Sequence, residues 1–276
     1  MSKIEFLKRK ATEIRMELLK MIYESGTGHT GGSLSNTDIL TVLYYHIMNV
    51  DPKNSKWENR DRYIQSKGHA VESYWAILAD KGFFPKEELK TFSQFNTRLI
   101  GHPNNKVPGV EMNTGALGHG LPISVGMALA AKMDEKSYRV YTLMGDGEQA
   151  EGSVWEGAMA ASQYKLDNLV AIIDRNRLQI TGSTEDVMSL EPLGDKWRSF
   201  GWEVVEVDGN NIEQLVEVLS NTPRVSGKPT MIVANTVKGK GISFAENVAK
   251  WHHYVPNKEE YELAMEELSK QLEVLQ

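Results

Sequence analysis

Apolar residues at Ile4, Leu7, Ala11, Ile14, Leu18 and Met21 recur at the spacing of one face of a helix. That first amphipathic helix runs into a glycine cluster at 26–32, which stops it. Ser35-Asn-Thr-Asp38 offers N-cap residue types for a second apolar helix through Met48. Residues 62–66 form a short strand candidate, and 70–81 a helix. The stretch from 92 to 120 is rich in loop residues. Helix 121–133 carries Gly126, Ala128, Ala130 and Ala131, small residues that suit close packing. Short apolar runs then predict strands at 138–144, 169–174, 203–207 and 230–235, with helices between them, including 212–219. Asn257 and Glu260 form a capping pair for a last helix. Its stripe of Tyr261, Met265, Leu268, Leu272 and Leu275 has to bury against the same domain or a partner.

This alternation of strand and helix predicts an α/β fold: a parallel β-sheet with right-handed crossovers and helices on both faces. No repeat, low-complexity segment or linker divides the 276 residues, so a single domain over 1–276 is expected. With 41% hydrophobic and 25% charged residues, composition adds only that the class is ordinary and globular. No run of about eighteen apolar residues occurs, so no membrane partner is expected. The first residues lack a signal core, and there is no cysteine, which excludes disulfides and thiol metal sites. A cytoplasmic location follows as the expectation. The net charge of −6 argues against a nucleic-acid partner.

The candidate chemistry sits at strand ends. The strand at 138–144 leads into Gly145-Asp146-Gly147, and the next strand ends in Asp174-Arg-Asn176. Asp146 and Asn176, thirty positions apart, therefore lie just past the C-terminal ends of two strands joined by a crossover. Ligands bind at that edge of an open α/β sheet. A carboxylate and an amide oxygen there suit a hard cation such as Mg2+ shared with phosphate. Gly145 and Gly147 let a phosphate approach backbone N–H groups.

Four of the seven histidines lie among loop glycines: His29 in Gly28-His-Thr-Gly-Gly-Ser33, His69 in Ser66-Lys-Gly-His-Ala70, His102 in Gly101-His-Pro103, and His119 in Thr114-Gly-Ala-Leu-Gly-His-Gly120. Imidazoles on loops held by a rigid scaffold suit a polar substrate or proton transfer. A zinc site finds no support: no His-x3-His pair and no cysteine occur, and adjacent His252 and His253 diverge.

Gly145-Asp146-Gly147 followed by Asn176 resembles the thiamine-diphosphate motif. With the histidine loops and Val237-Lys-Gly-Lys-Gly241, taken in order, the chain is similar to the N-terminal half of transketolases from about 13 to 256. The resemblance implies a thiamine-diphosphate-binding fold of the diphosphate type. Asp146, Asn176 and the Leu178 carbonyl would bind Mg2+, or Ca2+ or Mn2+. Gly115 and Leu117 would lie along the thiamine, and Gly145 and Gly147 against the diphosphate. His69 would contact the cofactor, while His29, His102 and His252 would reach the sugar or cofactor. The family has glycine after the last of these, where His253 stands here. Glu151 and Glu156 would link paired active sites across a subunit interface; a carboxylate early in a helix is also favoured by the dipole alone.

The second half of such enzymes, with the pyrimidine-binding domain and its activating glutamate, has no counterpart here. The capped last helix reads as a finished end. The expectation is one subunit of a split transketolase, completed by a pyrimidine-domain chain in an α2β2 heterotetramer and acting on sugar phosphates or analogues. The alternatives are another thiamine-diphosphate carboligase, a 2-oxo-acid dehydrogenase α-type subunit, or a non-enzymatic sensor of the cofactor.

Overall fold

A computed structural model describes residues 1–275. Its centre is a five-stranded sheet of β1 (Arg62–Gln65), β2 (Val140–Gly145), β3 (Leu169–Arg175), β6 (Glu203–Asp208) and β7 (Thr230–Asn235). The order is β1-β2-β3-β7-β6 and every pairing is parallel. A separate two-stranded hairpin, β4 (Leu178–Gln179) with β5 (Gly182–Ser183), follows β3 directly. The helices are α1 (Lys3–Ser25), α2 (Thr30–Ser35), α3 (Thr37–Val42), α4 (Glu72–Lys81), α5 (Gly120–Met133), α6 (Gly152–Gln163), α7 (Thr184–Val187), α8 (Leu193–Ser199), α9 (Ile212–Ser220) and α10 (Lys258–Val274).

Successive side chains of a strand point to opposite faces, and the core divides accordingly. Tyr141, Leu143, Val170, Ile172, Ile232 and Ala234 face one cluster, with α1, α3, α4, α9 and α10. Val140, Met144, Leu169, Ala171, Ile173, Met231 and Val233 face the other, with α5, α6 and α8. β3 is buried at all seven positions: the apolar run 169–173 lies in the core, and Asp174 and Arg175 are buried with ion-pair partners. Each fully buried aliphatic side chain there is worth about 1.5–3 kcal/mol over an exposed one. Among the described residues no helix is long and apolar enough to cross a membrane.

Helix ends follow local chemistry at both extremes of the chain. Ser2 and Glu5 form a capping box on α1, and Gly26 ends it in the left-handed conformation. Asn257 and Glu260 form the same box on α10. The apolar stripe of α10 buries within the chain: Leu268 is in the core, and the Tyr261 ring stacks on Tyr23 of α1 at 4.1 Å.

One expectation holds in part. A helix does begin within Ser35–Asp38: α3 starts at Thr37 with Asn36 at its N-cap, though no side chain there caps it. The glycine cluster, however, is not all loop, because α2 begins at Thr30 with His29 at its N-cap. Tertiary contacts supply what the local signal lacks. Glu72, buried on α4, accepts the His29 N–H at 2.8 Å and the Ser33 hydroxyl at 2.5 Å. Asp38 caps nothing; its carboxylate takes the Arg15 guanidinium at 2.6 and 3.0 Å. The helix also stops short of Met48 as an α-helix, ending in a π-helical turn at Leu43–Ile47.

The parallel strands bring Gln65, Gly145, Arg175, Asp208 and Asn235 to one edge of the sheet. Gly145 pairs with Asp174, and Arg175 with Asn235. The loops leaving that edge build the site.

Candidate active site

A cavity of about 480 Å3 opens at the C-terminal edge of the sheet, between the loops after β1, β2 and β3. Asp146, just past β2, is 3% exposed. Its Oδ1 accepts the Gly147 N–H at 2.8 Å. Its Oδ2 accepts the Arg177 N–H at 2.6 Å and the Arg175 guanidinium at 3.3 Å. Asn176, just past β3, turns its Oδ1 to the Leu178 N–H at 3.1 Å. Asp146, Asn176 and Leu178 all line the cavity. Burial, with Asp174 adding, pushes the Asp146 carboxyl up, so a cation at this wall is electrostatically favoured. Among the described residues no three imidazole, carboxylate or thiol groups converge as a metal cage. The wall instead offers the oxygens of one carboxylate, one amide and one backbone carbonyl, a chemistry that a hard cation could use.

Two lysines line the same cavity. Lys67, just past β1, is 2% exposed; its ammonium pairs with Asp174 and donates to the Gly32 carbonyl at 3.1 Å. Burial alone would raise the Asp174 carboxyl, but Lys67 and the hydroxyls of Ser35 and Thr236 hold it below its ordinary value. Lys238, past β7, donates to the Leu178 carbonyl at 3.0 Å and to His252 Nδ1 at 2.9 Å. Burial, then the charge of Lys67, brings Lys238 down to about 8. A buried ammonium without a carboxylate partner marks a place for an anion.

Three imidazoles complete the lining. The His29 ring lies 5.1 Å from His69 and 5.8 Å from His252, and His69 stacks on His252 at 5.3 Å. Burial first, then neighbouring imidazoles, lowers His29 to about 4. Burial and Lys238 lower His252 to about 3, and burial and Lys67 lower His69 well below its ordinary value. All three are neutral near pH 7.

The structure thus brings together His29, His69, His252, Gly115, Leu117, Gly145, Asp146, Gly147, Asn176 and Leu178. His102 is not in the lining but stands beside it, half-buried: a Cβ on Gly115 would meet its ring at 3.0 Å, and its charge is among those that lower His29. Of the adjacent pair, His252 lines the cavity while His253 is exposed, its ring 4.6 Å from His29. His119, also in a glycine loop, is exposed and lies outside the lining. Glu151 and Glu156 are exposed on α6 and its N-cap, outside the lining too. Sequence reasoning did not single out Lys67, Lys238 and Glu148. Each is a charged residue next to a glycine, in or directly after a quoted motif, which is the signal that could have found them.

A family model described as transketolase, thiamine diphosphate binding domain, matches residues 7–270. The chain is 50% identical over 273 residues to an apulose-4-phosphate transketolase subunit of Phocaeicola vulgatus, covering 99% of this chain and 97% of that protein. It is 44% identical to a 6-deoxy-6-sulfo-D-fructose transketolase subunit of Clostridium sp., covering 96% and 97%. A solved transketolase from Campylobacter jejuni superposes with a TM-score of 0.91 at 33% identity, over 98% of this chain and 43% of that one. The chain therefore spans nearly the whole of these subunit relatives and less than half of that solved transketolase.

Proposed function

Because the chain belongs to the transketolase family through its thiamine diphosphate binding domain, we propose that it is one subunit of a two-chain transketolase. The observation that carries this reading is the coverage. The chain matches separate subunits end to end and a solved transketolase over 43% of its length. The cavity supports it, since an oxygen donor set, two lysines and three neutral imidazoles share one lining.

The residues present fit thiamine diphosphate with a divalent cation, Mg2+ in our reading. When bound, that cofactor supplies the nucleophilic carbon that carries a two-carbon ketol unit from a ketose to an aldose. Asp146, Asn176 and the Leu178 carbonyl would hold the cation. Lys238, which has no carboxylate partner, would offset diphosphate charge, while Lys67, paired with Asp174, would hold the adjoining wall. Gly147 leaves that wall open, since a Cβ there would come within 3.0 Å of the Gln179 side chain. His29, His69 and His252, being neutral, can accept protons from substrate hydroxyls and return them. The substrates would be sugar phosphates or close analogues.

The head of the cofactor would be completed by a second polypeptide carrying the pyrimidine-binding domain, in an α2β2 assembly. Ile180, 72% exposed on the cavity rim, and half-buried Leu117 beside it in the lining support a surface that a partner covers. Glu151 and Glu156, both exposed here, are available for contacts between subunits. The test is ketol transfer from a ketose phosphate by the purified chain with and without the candidate partner. Activity only with both is expected; full activity of this chain alone would overturn the split-site reading.

A further inference from the structure

Glu148 belongs to neither the oxygen donor set nor the imidazole group, yet it lines the cavity and is 2% exposed. It sits in the 3-10 turn Gly147–Ala150. Its Oε1 accepts the Gly118 N–H at 2.8 Å and the Ser66 hydroxyl. Its Oε2 accepts the Gly145 N–H at 3.0 Å. These donors come from three separate segments: the loop after β1, the 114–120 loop and the end of β2. Ser66 leads into Lys67 and His69, Gly118 follows Gly115 and Leu117, and Gly145 precedes Asp146.

Burial raises the Glu148 carboxyl, and its three donors offset the cost of keeping the carboxylate out of water. Both oxygens are thereby committed to the protein, which leaves Glu148 unsuited to grip a ligand. Thr114 ties two of the loops through the Gln65 carbonyl at 2.7 Å. Among the described residues only Glu148 hydrogen-bonds to all three.

We propose that Glu148 is a positioning residue that fixes the end of β2 and the loops carrying Ser66 and Gly118 at the spacing thiamine diphosphate requires. This rests on the reading of the cavity as a thiamine-diphosphate site. The chemistry demands a carboxylate. A glutamine offers one carbonyl oxygen, and its NH2 group would face the N–H of Gly118 or Gly145 donor to donor. E148Q therefore cuts the tie while keeping the shape.

The experiment titrates thiamine diphosphate by calorimetry, with saturating Mg2+, into the full chain paired with its partner polypeptide, as wild type, E148Q, S66A and the double variant. Amide hydrogen exchange is read on the same proteins without cofactor. E148Q is expected to bind the cofactor about 10–100-fold more weakly, the range for residues that orient binding groups. S66A should lose less, and the double variant no more than E148Q, because both cut one connection. Exchange should quicken at 66–69 and 114–120 and stay unchanged in β3. Should E148Q fail to fold, S66A decides by the same readouts. Wild-type protein that does not bind thiamine diphosphate would refute the functional reading. Wild-type binding with E148Q within twofold of it, or exchange quickened evenly through the sheet, would overturn the positioning role alone.

Discussion

Burial keeps the His29 ring uncharged down to about 4, against an ordinary value of 6.5. Below 6.5 the unfolded chain takes up a proton that the folded chain refuses, so the sign of the linkage is fixed. Stability from this group is complete above about 6.5 and is lost as the pH falls towards 4. The melting temperature of the cofactor-free chain should therefore drop between about pH 7 and pH 5. His29→Asn should flatten part of that slope, as thermal unfolding at several pH values would read. His29→Ala and His69→Ala should lower turnover about a hundredfold or more, the size of a general acid–base contribution, with melting temperature at pH 7 little changed. A matching loss of thermal stability would make these histidines structural. Arg175 acts behind Asp146: its guanidinium reaches Asp146, Glu185 and Glu191. Arg175→Ala is expected to weaken Mg2+-dependent cofactor retention about 10–100-fold, checked by calorimetry. Asp146→Ala should abolish most of it.

Elements placed by their own residues can be tested one at a time. Removing the α10 cap by Asn257→Ala should cost about 1 kcal/mol in denaturant unfolding. Gly31→Ala is more telling, because a Cβ there would lie 2.8 Å from the Trp251 carbonyl. It should push α2 away from the Ala249–His253 segment that carries His252, so that turnover falls further than stability. The same distinction explains what could be read from the sequence. β3 and α10 were legible because an apolar run and a capping pair are local signals. Asp146 and Asn176 were legible because one crossover sets their separation. The start of α2 was not, since Glu72, 43 positions from His29, decides it. Lys67 was hidden in the same way: its partner Asp174 is 107 positions away, and only burial gives the pair its meaning. The division between His252 and His253 also required the fold, because adjacent residues share every sequence signal.

For the whole molecule, the sheet separates two tasks. Its C-terminal edge carries the candidate site, and its two faces hold the cores that keep that edge in place. If a second polypeptide completes the site, light scattering of the mixed chains should report a mass of two copies of each, and activity should saturate at equal stoichiometry. β3 carries a consequence for how such a protein can change over generations. Its seven residues are buried, and both its edges are paired, to β2 and β7. No position on it is free to drift. An exhaustive substitution library should show an intolerant band at 169–175 and broad tolerance a few residues later, at the exposed positions 186–188. If the cavity takes a sugar, new preferences would then arise by altering the hairpin at 178–183 and the segment at 249–253, while the strand that leads into Asn176 is inherited almost unaltered.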